Sequence, residues 1–220
     1  MIAKRLFDLL LAISGLFILL PLFIAIAIWV KLDSRGPIFF RQERVGQFEK
    51  LFKIHKFRTM TWEPDKQGPQ LTVAGDARIT PSGRFLRRYK LDELAQLIDV
   101  LQGNMSLVGP RPEVPKYVAV YPDETRLVVL SVKPGITDFA SIEFVHETQL
   151  LAQSEDPEKT YINKILPLKL DHCMRYVQER SLRLDVILIL RTLKVIVVKQ
   201  FNRKPPVLIE VGLESNVPKF

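Results

Sequence analysis

LLLAISGLFILLPLFIAIAIWV, residues 9–30, contains no charged side chain. As a helix it would be roughly 33 Å long at 1.5 Å per residue, enough to match a bilayer's hydrocarbon core. Lys4 and Arg5 precede it and Lys31 and Arg35 follow it. Positive charge therefore favours the same side of a membrane for both ends, and no crossing orientation emerges. Pro21 falls inside the run, where it deletes one backbone hydrogen bond and crowds the carbonyl of Phe17, so a helix break is expected there. The halves on either side, 9–20 and 22–30, are each too short to cross. These features predict a re-entrant helix that enters and leaves by one face; a kinked single span with Asp8 near one end is the alternative. The run is longer than a signal-peptide core, and WVKLDSRGP follows it in place of a small-x-small cleavage site, so the segment is expected to be retained.

The 220-residue chain has room for one sizeable domain beside such an element. Its formal charge of +8 and pI near 9.6 favour anionic partners: nucleic acid, phospholipid headgroups or phosphorylated substrates. Cys173 is the only cysteine, so no internal disulfide can form, and a reducing, cytosolic setting is expected. His55, His146 and His172 lack metal-ligand spacing, and no zinc site is expected. No P-loop, GxGxxG or Gly-x-Ser-x-Gly elbow is present.

The expected class is α+β and mostly helical: a membrane helix with its flanks over 1–36, a small cytosolic catalytic domain over 37–201 and a poorly ordered tail over 202–220. PIFFRQERVG and KLFKIHKF read as strands of a hairpin around Gly46. Residues 61–80, rich in Pro, Gly and Asp, read as a long loop. Residues 92–101 read as a helix, with Leu94, Leu97, Ile98 and Leu101 on one face and Gly103-Asn104 as its stop. NMSLVGPRP reads as a tight turn, and short helices are expected over 115–121 and 123–131. Asp156-Pro157 starts another helix, which Pro167 interrupts or restarts. Residues 181–201 are apolar but interrupted by Arg183, Asp185, Arg191, Lys194 and Lys199, which suits an amphipathic helix at a membrane surface or against the core.

The chemistry concentrates in RRYKLDELAQL, residues 87–97. Asp92 and Glu93 are neighbours, so on a helix they point about 100° apart and must have different roles. At a helix N-terminus the free N–H groups and the dipole favour an ionised carboxylate, suited to a nucleophile or a magnesium ligand. The plainer reading is an N-cap followed by a first-turn acid. Arg84, Arg87, Arg88 and Lys90 precede the pair, Lys53, Lys56 and Arg58 lie in KIHKFRTM, and Arg111 lies in GPRP. Separately these are solvated charges. Gathered by the fold, they would clamp a diphosphate beside the carboxylates, with Mg2+ bridging oxygens.

KRLFDLLLA, KIHKFRTM, GRFLRRYKLDELAQLIDVLQGNMSLVGPRP and VKPGIT together resemble the bacterial sugar transferases, the small monotopic phosphoglycosyl transferases, over residues 4–193. The resemblance implies transfer of a sugar 1-phosphate from a UDP-sugar to a polyprenyl phosphate such as undecaprenyl phosphate. UMP is released, and the product starts polysaccharide or glycoprotein glycan assembly on the cytoplasmic face of the inner membrane. It implies Asp92 as the nucleophile that forms a phosphosugar intermediate and binds Mg2+, with Glu93 beside it. It implies Lys56, Arg87 and Arg111 as phosphate-handling positions, to which neighbouring Arg58 and Arg88 are added as candidates. The family's re-entrant helix breaks at Ser-Pro; Leu20-Pro21 stands there in this chain, so Pro21 must act without a serine hydroxyl. Long members carry a further multi-span N-terminal region, which is not expected here.

After Pro134-Gly135-Ile136-Thr137, many relatives continue with glycine, where this chain has Asp138. A residue that tolerates positive φ is thereby replaced by an acid, and no sugar identity is inferred from this loop. Nucleic acid is not an expected partner, and a homodimer is left open. The non-catalytic alternative is a membrane-anchored basic protein that binds anionic lipid or nucleic acid, which leaves the Asp-Glu pair unexplained. A glycoside hydrolase needs two carboxyls facing each other across a sugar, which adjacency does not supply.

Overall fold

A computed structural model describes residues 2–62 and 71–201. The middle of the expected 61–80 loop and the expected 202–220 tail lie outside the described residues. Among the described residues the chain is mostly helical with two small sheets.

The first helix, α1 (Ile2–Asp33), is the one described helix long and apolar enough to cross a membrane. It runs without interruption through Pro21, where a break was expected. Asp8, Ala12, Phe23, Ile26 and Val30 are buried, and Leu16 and Leu19 pack partly between them. These residues recur at spacings of three and four, so one continuous stripe faces the rest of the protein on both sides of Pro21. Pro21 and Phe17 lie on the opposite, exposed side. Packing along the stripe holds the helix course, while the missing hydrogen bond falls on the outer face.

Both ends of α1 are tied to the same body. Near its start, Lys4 Nζ donates to Asp185 Oδ2 at 2.6 Å, and Asp8 accepts from the Ser106 hydroxyl and the Leu107 amide. Arg5 donates to the carbonyls of Val100 and Leu101. At its end, Asp33 accepts from Ser82 Oγ at 2.7 Å, and Arg58 donates to the carbonyls of Val30, Ser34 and Arg35.

Strands β1 (Phe39–Val45) and β2 (Leu51–Phe57) form the expected antiparallel hairpin, with Val45 opposite Leu51. Helix α2 (Pro81–Arg88) starts on Thr80, whose side chain accepts from the Gly83 amide, with Pro81 in the first turn. The predicted 92–101 helix is two pieces: a 3-10 turn, Leu91–Ala95, and helix α3, Gln96–Gln102. Lys90, at φ 57, turns the chain between α2 and the 3-10 element. That left-handed conformation costs a residue with a Cβ about 1 kcal/mol.

The predicted NMSLVGPRP turn contains a strand. Strand β3 (Ser106–Val108) pairs in parallel with β4 (Gly135–Thr137). Helices α4 (Pro115–Val118) and α5 (Asp123–Val129) lie between them in sequence, followed after β4 by α6 (Phe139–Glu143), α7 (Glu147–Ala152) and α8 (Pro157–Thr160). A π-helical turn, Tyr161–Ile165, joins α8 to α9 (Leu166–Glu179). The helical path therefore continues past Pro167; having no N–H, that residue is accommodated in the first turn of α9, directly after the π turn. Helix α10 (Leu182–Phe201) buries Asp185 and Leu188 and exposes Leu182, Val186, Leu190, Leu193 and Val197.

Three apolar clusters hold these elements. One joins the second half of α1 to Phe57, Leu86 and Ala95. Another joins the first half of α1 to Leu97, Val100, Tyr176 and Leu188. The third packs α4, α5 and α7 around α9.

Candidate active site

A cleft of about 2590 Å3 opens between the hairpin, α2, the 3-10 turn, the β3 and β4 ends and the α6 to α9 region. Its wall includes Lys56, Arg87, Arg88, Lys90, Asp92, Glu93 and Arg111. The fold thus brings together the acids and the cationic clusters that lie apart in the sequence.

Each position has a local cause. Lys56 belongs to β2, and its Nζ lies 3.6 Å from Glu93 Oε1. Arg87 belongs to α2, and its Nε donates to Thr59 Oγ1 at 2.8 Å. Gly83 lets α2 approach this closely, because a Cβ there would stand 2.0 Å from the Thr59 carbonyl oxygen. Arg111 follows β3 and donates to both Glu93 Oε1 and the Ile136 carbonyl. Lys90 Nζ is 3.9 Å from the same Glu93 oxygen.

Asp92 and Glu93 accordingly differ. Glu93 is ringed by cations: burial works to raise its pKa, but Arg111, Lys90 and Lys56 outweigh it and hold the carboxyl well below the usual range. Asp92 is 7% exposed, and its Oδ1 is buried without a hydrogen-bond partner. Burial first, and the charge of Glu93 second, raise its pKa against the pull of Lys56, Lys90 and Arg87. The shift is opposite in direction to the one a helix N-terminus alone would give. The acid sits in a 3-10 turn of five residues, Leu91–Ala95, and desolvation is the largest influence on it. Lys56 is shifted downward to about 8, chiefly by burial, with Glu93 opposing. Burial likewise lowers Arg87, although Asp92 opposes it.

Arg58, considered for a phosphate role, lines the same cleft but is engaged with α1. It is 2% exposed, and its Nη1 and Nη2 donate to the carbonyls of Val30, Ser34 and Arg35 at the end of α1 and just beyond it, and to Ser34 Oγ. Arg88 is exposed, lines the cleft and lies over the Tyr89 ring. Asp138 adopts φ −157, caps α6 by accepting from the Ser141 amide and accepts from the Arg111 amide at 3.3 Å. The acid in place of glycine thus requires no left-handed backbone.

Sequence reading passed over a second polar wall of the cleft. Glu113 Oε1 accepts from Tyr161 and Lys169, Lys169 also reaches Glu147 Oε2 at 3.1 Å, and Arg44 Nη1 lies 3.6 Å from Glu113. These residues are scattered over more than a hundred positions, and only the Glu directly after GPRP was close to a flagged motif.

Among the described residues no group of three or more His, Cys, Asp or Glu side chains could hold a metal ion. What Asp92 offers is one unpartnered carboxylate oxygen at a cation-lined cleft. That donor set fits Mg2+ shared with substrate phosphates and water, the usual manner of magnesium binding.

The family model described as bacterial sugar transferase matches residues 1–199. The UDP-N-acetylgalactosamine-undecaprenyl-phosphate N-acetylgalactosaminephosphotransferase of Aeromonas hydrophila is 36% identical over 195 residues, 88% of this chain and 43% of the relative. The UDP-glucose:undecaprenyl-phosphate glucose-1-phosphate transferase of Xanthomonas campestris pv. campestris is 39% identical over 194 residues, 87% of this chain and 38% of the relative. The Escherichia coli K12 protein of the same name is 38% identical over 193 residues, 86% and 39% respectively. The chain spans less than half the length of these curated relatives.

Proposed function

The chain belongs to the bacterial sugar transferases, and on that premise we propose that it moves a sugar 1-phosphate from a UDP-sugar to undecaprenyl phosphate, releasing UMP and initiating glycan assembly. The observation that carries the reading is the unpartnered, buried Oδ1 of Asp92 in a cleft whose cations include Lys56, Arg87 and Arg111.

In the first step the Asp92 carboxylate attacks the phosphorus bonded to the sugar. An Asp–O–P bond forms, and the bond between that phosphorus and the bridging oxygen breaks; the oxygen leaves with UMP. Lys56, Arg87 and Arg111 compensate the charge that builds on the phosphates and the departing group. In the second step a phosphate oxygen of the lipid attacks the same phosphorus, the Asp–O–P bond breaks and the carboxylate is restored. Neither displacement requires a proton from the protein. Asp92, together with diphosphate oxygens, would hold Mg2+, which supplies Lewis-acid stabilisation of phosphoryl charge. Glu93 orients the surrounding cations, since its carboxylate faces Arg111, Lys56 and Lys90.

The reading includes the membrane. The exposed face of α1 carries Leu6, Leu10, Ile13, Phe17, Ile24 and Ile28, an apolar surface suited to lipid. Both ends of α1 are bound to one polar body, which supports placing the two ends on one side of the membrane, the cytoplasmic one; because α1 runs unbroken through Pro21, the helix would lie along the bilayer face rather than turn back within it, with the cleft at headgroup depth, where a lipid phosphate is presented. The exposed leucines and valines of α10 would add an interfacial contact. Protease protection that separates residue 1 from Lys31 across the membrane would refute the shared side.

The reaction is tested by incubating the membrane-extracted chain and Mg2+ with undecaprenyl phosphate and a panel of UDP-sugars, scoring UMP. The proposal requires acceptor-dependent UMP release with at least one donor. Free sugar in place of UMP, or salt-sensitive nucleic-acid binding with no turnover, would contradict it.

A further inference from the structure

Strand β2 delivers Lys56 to the cleft, and the preceding residue is fastened from the other side. The His55 backbone N–H donates to Asp99 Oδ2 at 2.8 Å, and its Nδ1 lies 2.7 Å from Oδ1 of the same carboxylate. On the far side of the ring, Arg41 Nη1 lies 2.5 Å from Nε2. A guanidinium has only donors, so Nε2 accepts and Nδ1 carries the proton. Asp99 is completely buried. Both of its oxygens are occupied by a single residue of β2.

Asp99 lies in α3, which directly continues the turn bearing Asp92 and Glu93. The strand and this segment therefore meet at two adjacent points: His55 with Asp99, and Lys56 with Glu93. We propose that His55 and Asp99 are positioning residues, which lock the register of β2 against the turn and α3 and thereby hold the Lys56 ammonium opposite Glu93 and beside Asp92. Lys56 needs such restraint. Its ammonium stands 3.6 Å from the Glu93 carboxylate at the wall of an open cleft, and a loosened strand would let the long, flexible side chain swing away into water.

The chemistry makes the contact hard to imitate. The two His55 donors require two acceptors, and an asparagine amide supplies one acceptor and one opposed donor. Asp99→Asn is thus isosteric and yet breaks the lock. In His55→Asn, the amide nitrogen can stand where Nδ1 stands and still donate to Asp99. His55→Leu cannot.

The inference rests on the reaction proposed above only for its kinetic readout. In the intact chain, Asp99→Asn is expected to lower kcat/KM by about tenfold, and by less than about twofold when added to Lys56→Met, because both changes then act through one group. His55→Leu is expected to lose several times more activity than His55→Asn. Full multiplication of the Asp99 and Lys56 losses, as a generally weakened fold would give, would overturn the inference. A second measurement needs no turnover: brief acetic anhydride labelling read by mass spectrometry. Asp99→Asn is expected to raise Lys56 acetylation severalfold relative to the other lysines. Unchanged Lys56 labelling sinks the proposal. If the unsubstituted chain releases no UMP, the reaction reading fails, while the labelling still decides the positioning.

Discussion

Nη2 of Arg58 donates to the carbonyl oxygen of Val30 at 2.9 Å, joining the strand that carries Lys56 to the end of the long apolar helix. The same guanidinium reaches Ser34 and Arg35, so it satisfies carbonyls that a helix end leaves without partners. Arg58→Ala should cost about 2–3 kcal/mol, since it strands buried acceptors that had a charged donor. Thermal unfolding should show a midpoint several degrees lower, with KM for the donor close to that of the unsubstituted enzyme. A large rise in donor KM with an unchanged midpoint would instead make Arg58 a phosphate ligand.

Lys56 gives a pH signature. Folding lowers its pKa to about 8, so between that value and the ordinary lysine value near 10.4 the unfolded chain binds more protons than the folded one. Stability should therefore rise with pH across this window, while the charge that meets Glu93 and phosphate is lost. The profile of kcat/KM, which reports the free enzyme, should fall on its basic side with a midpoint near 8. Lys56→Arg should move that fall to higher pH, because guanidinium stays charged. An unmoved basic limb in Lys56→Arg assigns the titration to another group. On the acid side the limb should lie above the ordinary aspartate value, as Asp92 is raised by burial and by Glu93.

Gly83 separates packing from chemistry. A methyl group there would press on the Thr59 carbonyl at 2.0 Å, so α2 must withdraw from the strand and carry Arg87 away from Thr59. Gly83→Ala should destabilise by about 1–3 kcal/mol, the usual range for overpacking, and raise donor KM. Normal stability and normal KM together would show that α2 need not approach so closely.

The sequence displayed the reactive pair and its cations because they occupy short, charge-dense motifs: LDEL, RRYK and GPRP. It displayed the hairpin through the strand-like pieces on either side of Gly46. Other features were hidden for physical reasons. β3 and β4 are three-residue strands, too short to show a period, and their pairing depends on contacts across the intervening helices. Arg58 looks like a phosphate ligand in KIHKFRTM, and only the fold reveals the helix carbonyls it satisfies. Pro21 signals a break by its own chemistry, yet the packed stripe on both sides of it determines the helix course. Glu113, Tyr161 and Lys169 meet only because the π turn and α9 return to the cleft. Asp138 read only as an acid in place of a glycine, and its role as the cap of α6 emerges from the fold.

The central claim is that Asp92 bonds to phosphorus during turnover. Asp92→Asn, nearly isosteric but no longer an anionic nucleophile, should lose UMP release by about a thousandfold or more while still partitioning with membranes. The most direct measurement is mass spectrometry of the peptide containing Asp92 after rapid denaturation of enzyme mixed with an accepted UDP-sugar and Mg2+, without lipid phosphate. The predicted result is a mass increase of one sugar phosphate on Asp92, formed with stoichiometric UMP and discharged when undecaprenyl phosphate is added. UMP formation only when the lipid is present, with Asp92 unmodified throughout, would contradict it and indicate direct transfer between the two substrates.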